Sequence, residues 1–356
     1  MTSDDVLIGW DVGGAHVKAS CWRAGRLVDV RQWACPLWQG LSHLDGVLDA
    51  ATQAWGPLPA ARHAVTMSGE MTDLFAHRED GVRQIAAHLL ARCGDHLRLY
   101  AGPAGWVGAD EAAAQWAAIA SANWRATAAC SSKRLGTEGA EGLLVDIGST
   151  TTDLIALRGG AVCSLGHTDA DRLVSGELVY HGVVRTPLCA VASRIPFDGR
   201  LHRVMNEFFA TTADVYRLLG QLDPAHDLYP AADNGPRDAD GSCRRLARMI
   251  GLDGREASLE AWRDMARAWS DAQLAEIEAA AREVIAATGL APGAAVISAG
   301  CGDFLAAALA RRLGRPCRRF ADLLLGPQAD EALAAWVQVG APSVAVGALA
   351  LASTGG

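Results

Sequence analysis

The chain has 356 residues, of which 50% are apolar and 20% charged, and its formal net charge is −8. This length suits one large or two medium packed domains, and the composition excludes wholesale disorder. The acidic balance argues against a nucleic-acid binder that relies on a basic surface.

The cysteines and the apolar runs bear on the cellular compartment. Nine cysteines are scattered along the chain without a C-x-x-C pair, which predicts buried small residues in a reducing cytosol and neither disulfides nor a zinc site. The opening "MTSDDVLIGW" lacks the basic region of a signal peptide, and no apolar run reaches the roughly 20 residues that span a bilayer. We therefore expect a soluble, cytoplasmic protein with no membrane partner and no nucleic-acid partner.

The predicted elements begin with a three-stranded meander. "IGWDVGGAHVKASCWRAGRLV", from Ile8, predicts a strand, a glycine turn, a second strand, another turn at Ala24-Gly25 and a third strand. The same plan returns in "LVDIGSTTTDLIALRGGAV" when Asp11 is aligned with Asp146. This internal repeat predicts two related lobes, residues 1–139 and 140–356, with the C-terminal helix as the element that could return to the first lobe.

Helical periodicity accounts for much of the remaining chain. It predicts helices over 40–55, 79–94, 110–128, 206–222 and 258–289. The stretch 223–243, rich in Pro, Gly and Asp, predicts a long loop, and such loops are often functional or mobile. Further on, "AAVISAGCGDFLAAALARRLG" predicts a strand, a glycine-rich turn and a helix, and "PSVAVGALALAS" predicts a final apolar helix. Trp262 and Trp269, at helical spacing, are expected in the core.

Two glycine-rich turns suggest the chemistry. Each follows a strand that ends in an aspartate, and such turns leave backbone N–H groups open to an anion. Hydroxyls add uncharged donors, whereas an aspartate would repel phosphate unless Mg²⁺ lies between them. We expect a phosphate clamp in which Asp11 and Asp146 are catalytic and one or the other holds the metal, although each turn taken singly also fits a plain hairpin. The phosphate-binding candidates are Gly13, Gly14, Ala15, His16, Gly148, Ser149, Thr150 and Thr151.

Other polar side chains near these turns are candidates for catalysis. Lys18 could add a cation to the site or could face solvent from its strand. Glu70 and Asp73 follow an apolar strand, in a position where loop residues face a cleft. Glu70 fits slightly better as a helix-capping residue.

A further set of residues is expected to bind substrate. Four of them belong to a polar block too dense for plain core packing, which indicates either a substrate pocket or a loop between lobes. Thr211 to Asp214 are placed on the solvated face of a helix. The substrate-binding candidates are Asp153, Glu177, Tyr180, Arg185, Thr186 and, in a third glycine-rich turn, Gly300 and Gly302.

The motifs together resemble those of a known superfamily. "DVGGAHVK", "DIGSTTTDL" and "SAGCGDF" are similar to the phosphate-1, phosphate-2 and adenosine motifs of the actin, sugar-kinase and Hsp70 ATPases, in that order along nearly the whole chain. With "TMSGEMTDLF", "GELVYHGVVRTPL", "MNEFFATTADVYRLLG" and "ADNGPRDADGSCRRLARMIG", the chain more narrowly resembles the hydantoinase/oxoprolinase-like branch. This resemblance implies an α/β fold, the two-lobed actin-like ATPase (ribonuclease H-like) fold, with a cleft between duplicated lobes.

Within that branch the same blocks resemble the ether synthases of methanofuran biosynthesis and their counterparts in methylotrophic bacteria with tetrahydromethanopterin-linked C1 transfer. The resemblance implies a transferase that joins an aminomethylfuran carrying a methyl diphosphate to the phenol of tyramine, glutamyltyramine or tyrosine, with diphosphate leaving. The phenol of this implied reaction must lose a proton to attack, and Glu70, Asp73 and His16 are the candidate bases. Mg²⁺ is the expected cofactor. ATP stays open, because "SAGCGDF" departs from the usual Gly-Gly pattern of the adenosine loop.

Two other functions remain open at this point. One is an ATP-dependent small-molecule kinase or an oxoprolinase-like or hydantoinase-like hydrolase, which the loops fit directly. The other is a non-catalytic nucleotide-binding regulator, although no sensor domain or DNA-binding arm is visible in the sequence. A homodimer is compatible with the helical segments, but no residue selects one.

Overall fold

The computed structural model describes residues 5–326 and 328–353. Contacts divide the chain into two compact units. The first comprises the described part of Met1–Gly139 together with Gly159–Val162 and Phe320–Gly356, and the second comprises Ala140–Arg158 and Cys163–Arg319.

The strands and helices follow one another along the chain in mixed order. The strands are β1 (Val6–Val12), β2 (His16–Arg23), β3 (Arg26–Ala34), β4 (Arg62–Met67), β5 (Leu97–Tyr100), β6 (Trp106–Val107), β7 (Gly142–Ile147), β8 (Thr152–Arg158), β9 (Ala161–Val162), β10 (Leu178–Val179), β11 (Arg194–Phe197), β12 (Arg200–Arg203), β13 (Ala295–Ala299) and β14 (Cys317–Arg319). The α-helices are α1 (Ser42–Trp55), α2 (Arg78–Cys93), α3 (Trp116–Ile119), α4 (Asn123–Thr137), α5 (Asp169–Ser175), α6 (Leu188–Val191), α7 (Thr212–Leu218), α8 (Ala239–Arg248), α9 (Leu259–Thr288), α10 (Asp303–Leu313), α11 (Phe320–Leu325), α12 (Glu331–Val339) and α13 (Ala341–Ser353).

The first unit is built on a mixed sheet in the order β3-β2-β1-β4-β5-β6. Strand β1 is antiparallel to β2 and parallel to β4. Alternate residues of β1 point to opposite faces, so Trp10 joins a core with α1 and α2, whereas Gly9 lies against α13. A Cβ on Gly9 would be 2.2 Å from the Ser343 carbonyl oxygen. Asp11 shares this second face with Gly9.

The second unit repeats this central arrangement in a sheet of order β10-β8-β7-β13-β14. Strand β7 is antiparallel to β8 and parallel to β13, as β1 is to β2 and β4. The predicted strand-turn-strand repeat is therefore confirmed in the pairing of both sheets. Helix α9 matches its predicted span closely, and Trp262 and Trp269, each 1% exposed, lie in the core as predicted.

Several predicted elements were wrong in extent. The predicted helix over 206–222 is limited to Thr212–Leu218, because a capping box between Thr211 and Asp214 starts it late. The helix predicted over 110–128 is broken into α3 and α4, and Ser121 at the break has a φ of 51°. The predicted loop over 223–243 ends earlier, since Asp238 accepts from the Gly241 N–H and starts α8. The third strand of the second meander, β9, has only two residues.

The C-terminal segment is divided differently from the predicted lobes. All described residues from Phe320 onward group with the first unit, whereas the sequence allowed only the final helix to do so. The reason is packing, because α12 lies against β3, and α13 lies against β1, β2 and β4. Residues 1–4, 327 and 354–356 lie outside the described part of both predicted lobes.

The thiols and the apolar helices can be compared with the sequence as well. Every cysteine is a free thiol, and the ones that are buried, as predicted, are Cys21, Cys35, Cys93, Cys130 and Cys243. Cys317 is exposed instead. Within residues 5–326 and 328–353, no single helix is long and apolar enough to cross a bilayer, and α12 with α13 reaches that length only as a pair bent by 97°.

Candidate functional site

The first glycine turn begins where β1 ends, next to Asp11. The Asp11 side chain is buried and lies in register between Lys18 of β2 and Thr66 of β4. Residues paired in this way project from the same face of a sheet. The Lys18 Nζ is 3.9 Å from Asp11 Oδ2, and the Lys18 side chain is 19% exposed. Lys18 was expected either to add a cation to the site or to face solvent, and in the structure its ammonium group faces the Asp11 carboxylate.

The turn itself is tight and depends on its glycines. The Gly13 N–H donates to the His16 carbonyl at 3.0 Å, and the Gly14 carbonyl accepts from the Leu37 N–H at 3.0 Å. A Cβ on Gly13 would lie 2.8 Å from the His16 carbonyl oxygen, and one on Gly14 would lie 2.6 Å from Thr72 Cγ2. Among the described residues, the Gly14 N–H has no protein acceptor. Ala15 and His16 are buried at the start of β2.

The segment after β4 packs directly on this turn. The Ser68 N–H donates to the Val12 carbonyl at 3.0 Å. Glu70 is 1% exposed, and the Ser121 hydroxyl donates to its Oε1 at 3.0 Å. The capping role expected for Glu70 was wrong, since the short helix Gly69–Met71 has no side-chain cap. Glu70 instead ties this segment to the start of α4, and of the three candidate bases only Asp73 is exposed.

The second glycine turn begins where β7 ends, next to Asp146. Asp146 is buried and pairs with Asp153 on β8 and with Ala299 on β13. The Gly148 N–H donates to the Thr151 carbonyl at 2.9 Å. Within the described part of the chain, the N–H groups of residues 149–151 reach no protein acceptor, and all three residues are half-buried. Consecutive unused N–H groups of this kind form concavities that suit anions.

A second loop supports this turn from the side of Gly182. A Cβ on Gly182 would lie 2.3 Å from the Thr150 nitrogen, so only glycine permits the contact. The Gly182 carbonyl accepts from the hydroxyls of Thr186 at 3.2 Å and Thr212 at 2.9 Å, and from Gln273 Nε2 at 2.9 Å. Thr212 and Gln273 fix the loop against α7 and α9, and Thr186 closes the loop on itself. Thr186, expected to bind substrate, thus has a demonstrated role in holding this loop.

The third glycine-rich turn lies beside Asp146. Gly300 has a φ of +84°, and a Cβ there would lie 2.2 Å from the Ile147 carbonyl oxygen and 2.6 Å from Asp146 Oδ1. The Gly302 N–H donates to the Ile147 carbonyl at 2.8 Å. The turn that resembles an adenosine motif, and whose Gly300 and Gly302 were expected to bind substrate, therefore supports the end of β7.

Two carboxylates expected to bind substrate have buried protein partners. Asp153 accepts from the guanidinium of Arg172, which is itself 1% exposed. Glu177 is fully buried and accepts from the N–H groups of Leu165 at 2.8 Å and Gly166 at 2.7 Å. Both carboxylates hold the segment between β8 and β10.

The remaining candidates, Tyr180 and Arg185, are exposed. Tyr180 is 60% exposed. The Arg185 N–H donates to the Ser149 carbonyl at 2.8 Å, so the residue starts at the edge of the second turn. Its guanidinium carbon lies 5.8 Å from the centre of the Tyr229 ring. The sequence did not single out Tyr229, whose only signal is an aromatic residue within a loop rich in Pro, Gly and Asp.

The long loop that carries Tyr229 is held by buried charges. Asp214 accepts from Arg217 Nη1 at 2.7 Å and from Arg245 Nε at 2.9 Å. Arg245 is fully buried and also donates to Asp233 in the loop at 2.9 Å. Arg217 in turn donates to Asp227 at 2.5 Å. The solvated face predicted for Thr211 to Asp214 was therefore wrong, because Thr212 and Asp214 are each 1% exposed.

The ligand set available to a metal consists of one aspartate in each turn. Among the described residues, no group of three His, Cys, Asp or Glu side chains could hold a metal alone. Mg²⁺ characteristically takes only one or two carboxylates and completes its shell with water and substrate phosphates. Asp11 in the first unit and Asp146 in the second therefore each fit, taken separately, as the single carboxylate of a Mg²⁺ that arrives with a phosphorylated ligand.

Comparisons with known proteins identify relatives of this chain. The profile of the hydantoinase/oxoprolinase family matches residues 62–321. The chain is 27% identical over 248 residues to the (4-{4-[2-(gamma-L-glutamylamino)ethyl]phenoxymethyl}furan-2-yl)methanamine synthase of Methanocaldococcus jannaschii, covering 70% of this chain and 72% of that protein. A synthase of the same name from Methanococcus vannielii is 34% identical over 118 residues, which are 33% of this chain and 53% of that protein.

A solved structure supports the fold. The fold is similar to that of acetone carboxylase, an ATP-dependent enzyme, in its nucleotide-free structure. The match covers 96% of this chain and 70% of the carboxylase chain, with a TM-score of 0.54 and 11% sequence identity. That likeness concerns the fold alone, and the α/β actin-like ATPase fold predicted from the sequence is confirmed. Because the family profile covers more than half of the chain, the chain belongs to the hydantoinase/oxoprolinase family.

Proposed function

We propose that this chain is a transferase of methanofuran or methanofuran-analogue biosynthesis that forms an aryl alkyl ether with diphosphate as the leaving group. The observation that carries the proposal is that each of the two turns places a buried aspartate beside backbone N–H groups that reach no acceptor among the described residues. The relatives add the substrate class, since the product in their name contains a phenoxymethyl group on a furan.

The reaction balances without any other reactant. The phenol oxygen attacks the methylene carbon attached to the furan, the bond from that carbon to the diphosphate oxygen breaks, and diphosphate leaves with the electron pair. The phenol proton passes to a base on the protein or to water. Because a phenol titrates near pH 10, its attack at neutral pH needs such a base.

The residues of the two turns have distinct tasks in this reaction. In the second unit the N–H groups of Ser149 to Thr151 would donate to diphosphate oxygens, and in the first unit the Gly14 N–H offers a donor of the same kind, each fixed before the substrate binds. Lys18 would add a positive charge. Magnesium bound by Asp11 or Asp146 would supply further neutralisation of the departing diphosphate. Asp73 is the exposed candidate for the base, with His16 beside the first turn as the alternative.

The test is a reaction that omits ATP. Purified protein is mixed with Mg²⁺, the aminomethylfuran methyl diphosphate and, in parallel, tyramine, glutamyltyramine or tyrosine labelled with ¹⁸O in the phenol. Mass spectrometry should detect an ether that keeps the label, together with unlabelled diphosphate. The phenol that gives product identifies the substrate.

Matched variants connect the reaction to the turns. Asp11→Asn and Asp146→Asn should each lower ether formation, whereas Asp95→Asn, at an exposed position of the first unit, should leave it unchanged. No ether, with phosphate released only after ATP is added, would contradict the proposal and favour the kinase or hydrolase. Absence of both reactions, with nucleotide binding, would favour the non-catalytic regulator.

A further inference from the structure

We propose that Arg185 binds the departing diphosphate and that Tyr229 is a positioning residue that holds the Arg185 guanidinium in place. The inference rests on the proposed function, because it assigns a diphosphate contact within the same site. Both residues belong to the second unit. The guanidinium carbon of Arg185 lies 5.8 Å from the centre of the Tyr229 ring, within the range of a cation–π contact.

The backbone places Arg185 at the second turn. The N–H groups of Val184 and Arg185 donate to the Ser149 carbonyl at 3.1 and 2.8 Å. The loop before them is fixed through the three hydrogen bonds to the Gly182 carbonyl. The exposed Arg185 side chain therefore leaves the backbone beside the N–H groups of residues 149–151, on a loop that cannot shift easily.

Tyr229 is held by a different set of contacts. Asp227, two residues earlier, is buried and accepts from Arg217 Nη2 at 2.5 Å. Arg237 Nη1 donates to the Tyr229 carbonyl at 3.2 Å. The loop is also tied to α8 through Asp233 and Arg245 at 2.9 Å. These contacts thus fix the backbone that carries the Tyr229 ring next to Arg185, and Tyr229 itself is half-buried.

The chemistry explains why an arginine and a ring are paired here. A guanidinium presents two parallel N–H groups that match two phosphate oxygens, but its long side chain loses rotamer freedom when it binds. Contact with an aromatic face fixes the plane of the guanidinium before the anion arrives. Lysine has the charge without the plane, so Arg185→Lys should lose the benefit of the ring.

The test is calorimetric binding of inorganic diphosphate with Mg²⁺ to the whole chain and its variants. Arg185→Ala should raise the Kd by about tenfold or more, and Arg185→Lys should recover only part of this loss. Tyr229→Leu should raise the Kd about three- to tenfold, whereas Tyr229→Phe, which keeps the ring, should stay within about twofold of wild type. Tyr229→Leu should add nothing to Arg185→Ala, because the ring acts through the arginine.

Controls separate this role from a structural one. Phe208→Leu removes an exposed ring elsewhere in the second unit and should leave the Kd unchanged. Thermal unfolding of each variant should match wild type within error. The proposal is overturned if wild type fails to bind diphosphate, if Tyr229→Leu binds like wild type, or if Tyr229→Phe loses as much affinity as Tyr229→Leu.

The binding assay and the ether assay fail independently. If no ether forms but the variants weaken diphosphate binding as described, the diphosphate contact stands and the proposed ether chemistry is wrong. If the ether forms and the variants bind diphosphate normally, the proposed ether chemistry stands and the diphosphate contact of Arg185 and Tyr229 is wrong.

Discussion

Replacing Asp214 by asparagine should destabilise the second unit strongly, because the change removes a charge at the centre of a buried network. Asp214 is 1% exposed and its Oδ1 accepts from Arg217 Nη1 at 2.7 Å, Arg245 Nε at 2.9 Å and the Ser242 hydroxyl at 2.9 Å. Asparagine keeps one acceptor oxygen but loses the charge. Two guanidinium groups would then lie against a neutral side chain.

The magnitude follows from what remains for Arg245. Removing one partner of a buried ion pair typically costs about 3–5 kcal/mol, because the other charge is left without compensation. Arg245 would keep Asp233 at 2.9 Å and the Pro236 carbonyl at 3.0 Å. We therefore expect the lower end of this range, about 3 kcal/mol, for the unfolding of the second unit.

The assay must resolve one unit from the other, because a chain with two units need not unfold in a single transition. Hydrogen exchange followed by mass spectrometry meets this need. Peptides from α7 and α8 should exchange faster in Asp214→Asn, whereas peptides from β1 and β4 should keep their wild-type rates. Asp264→Asn is the matched control, since this aspartate is paired with Arg267 but 68% exposed, and exposed pairs contribute little. Equal exchange in Asp214→Asn and the control would refute the reasoning.

Three further predictions concern buried groups in both units. Burial lowers the pKa of His63 to about 4 from 6.5, so the unfolded chain takes up the proton at a higher pH than the folded chain does. The free energy of unfolding should therefore fall by up to about 3 kcal/mol as the pH drops from 6.5 to 4. Urea unfolding should show this pH dependence in wild type and lose it in His63→Gln. Gly300→Ala should lower the urea midpoint of the second unit, since its Cβ would meet backbone at 2.2 Å, whereas Gly293→Ala, with open space around it, should not. Gln273→Met should cost about 1–3 kcal/mol in the same assay, because it strips the buried Tyr216 hydroxyl of its acceptor at 2.6 Å; no change would mean that water replaces the amide.

The sequence predicted those parts of the fold that depend on local pattern. Alternating apolar residues and glycine punctuation located β1, β2 and β3, and the repeat located β7 and β8. Helical spacing with a terminal glycine located α9, and Gly289 closes it in the left-handed conformation. In each case the signal lies within the element, so tertiary contacts had little to add.

The wrong predictions concern helix boundaries and residues whose partners lie far away in the sequence. The spacing of Thr211 and Asp214 is that of a capping box and indicates a helix start. The apolar residues before Thr211 also fit helical spacing, so the predicted helix began too early. The burial of Asp214 was not legible, because it depends on Arg245, 31 positions further along. The same holds for Glu70, whose partner Ser121 is 51 positions away. Pairings of this kind become visible only when the chain is folded.

The two aspartates of the repeat can be ranked by the charges around them. The alignment that matches Asp11 with Asp146 also matches Lys18 with Asp153, so the same strand position carries opposite charges in the two units. In the first unit the Asp11 carboxylate faces an ammonium group at 3.9 Å. In the second, the residue opposite Asp146 on the neighbouring strand is the carboxylate Asp153, to which Arg172 donates.

A divalent cation should therefore prefer Asp146, whose cross-strand neighbour is an aspartate, over Asp11, whose cross-strand neighbour is a lysine. Calorimetry of diphosphate binding with and without Mg²⁺ tests this ranking. Asp146→Asn should abolish most of the gain that Mg²⁺ gives, whereas Asp11→Asn should leave most of it and chiefly alter binding without the metal, since Lys18 is then released toward the anion. An equal loss in both variants would contradict this ranking, and the charge at position 18 would then not explain how the repeat has diverged.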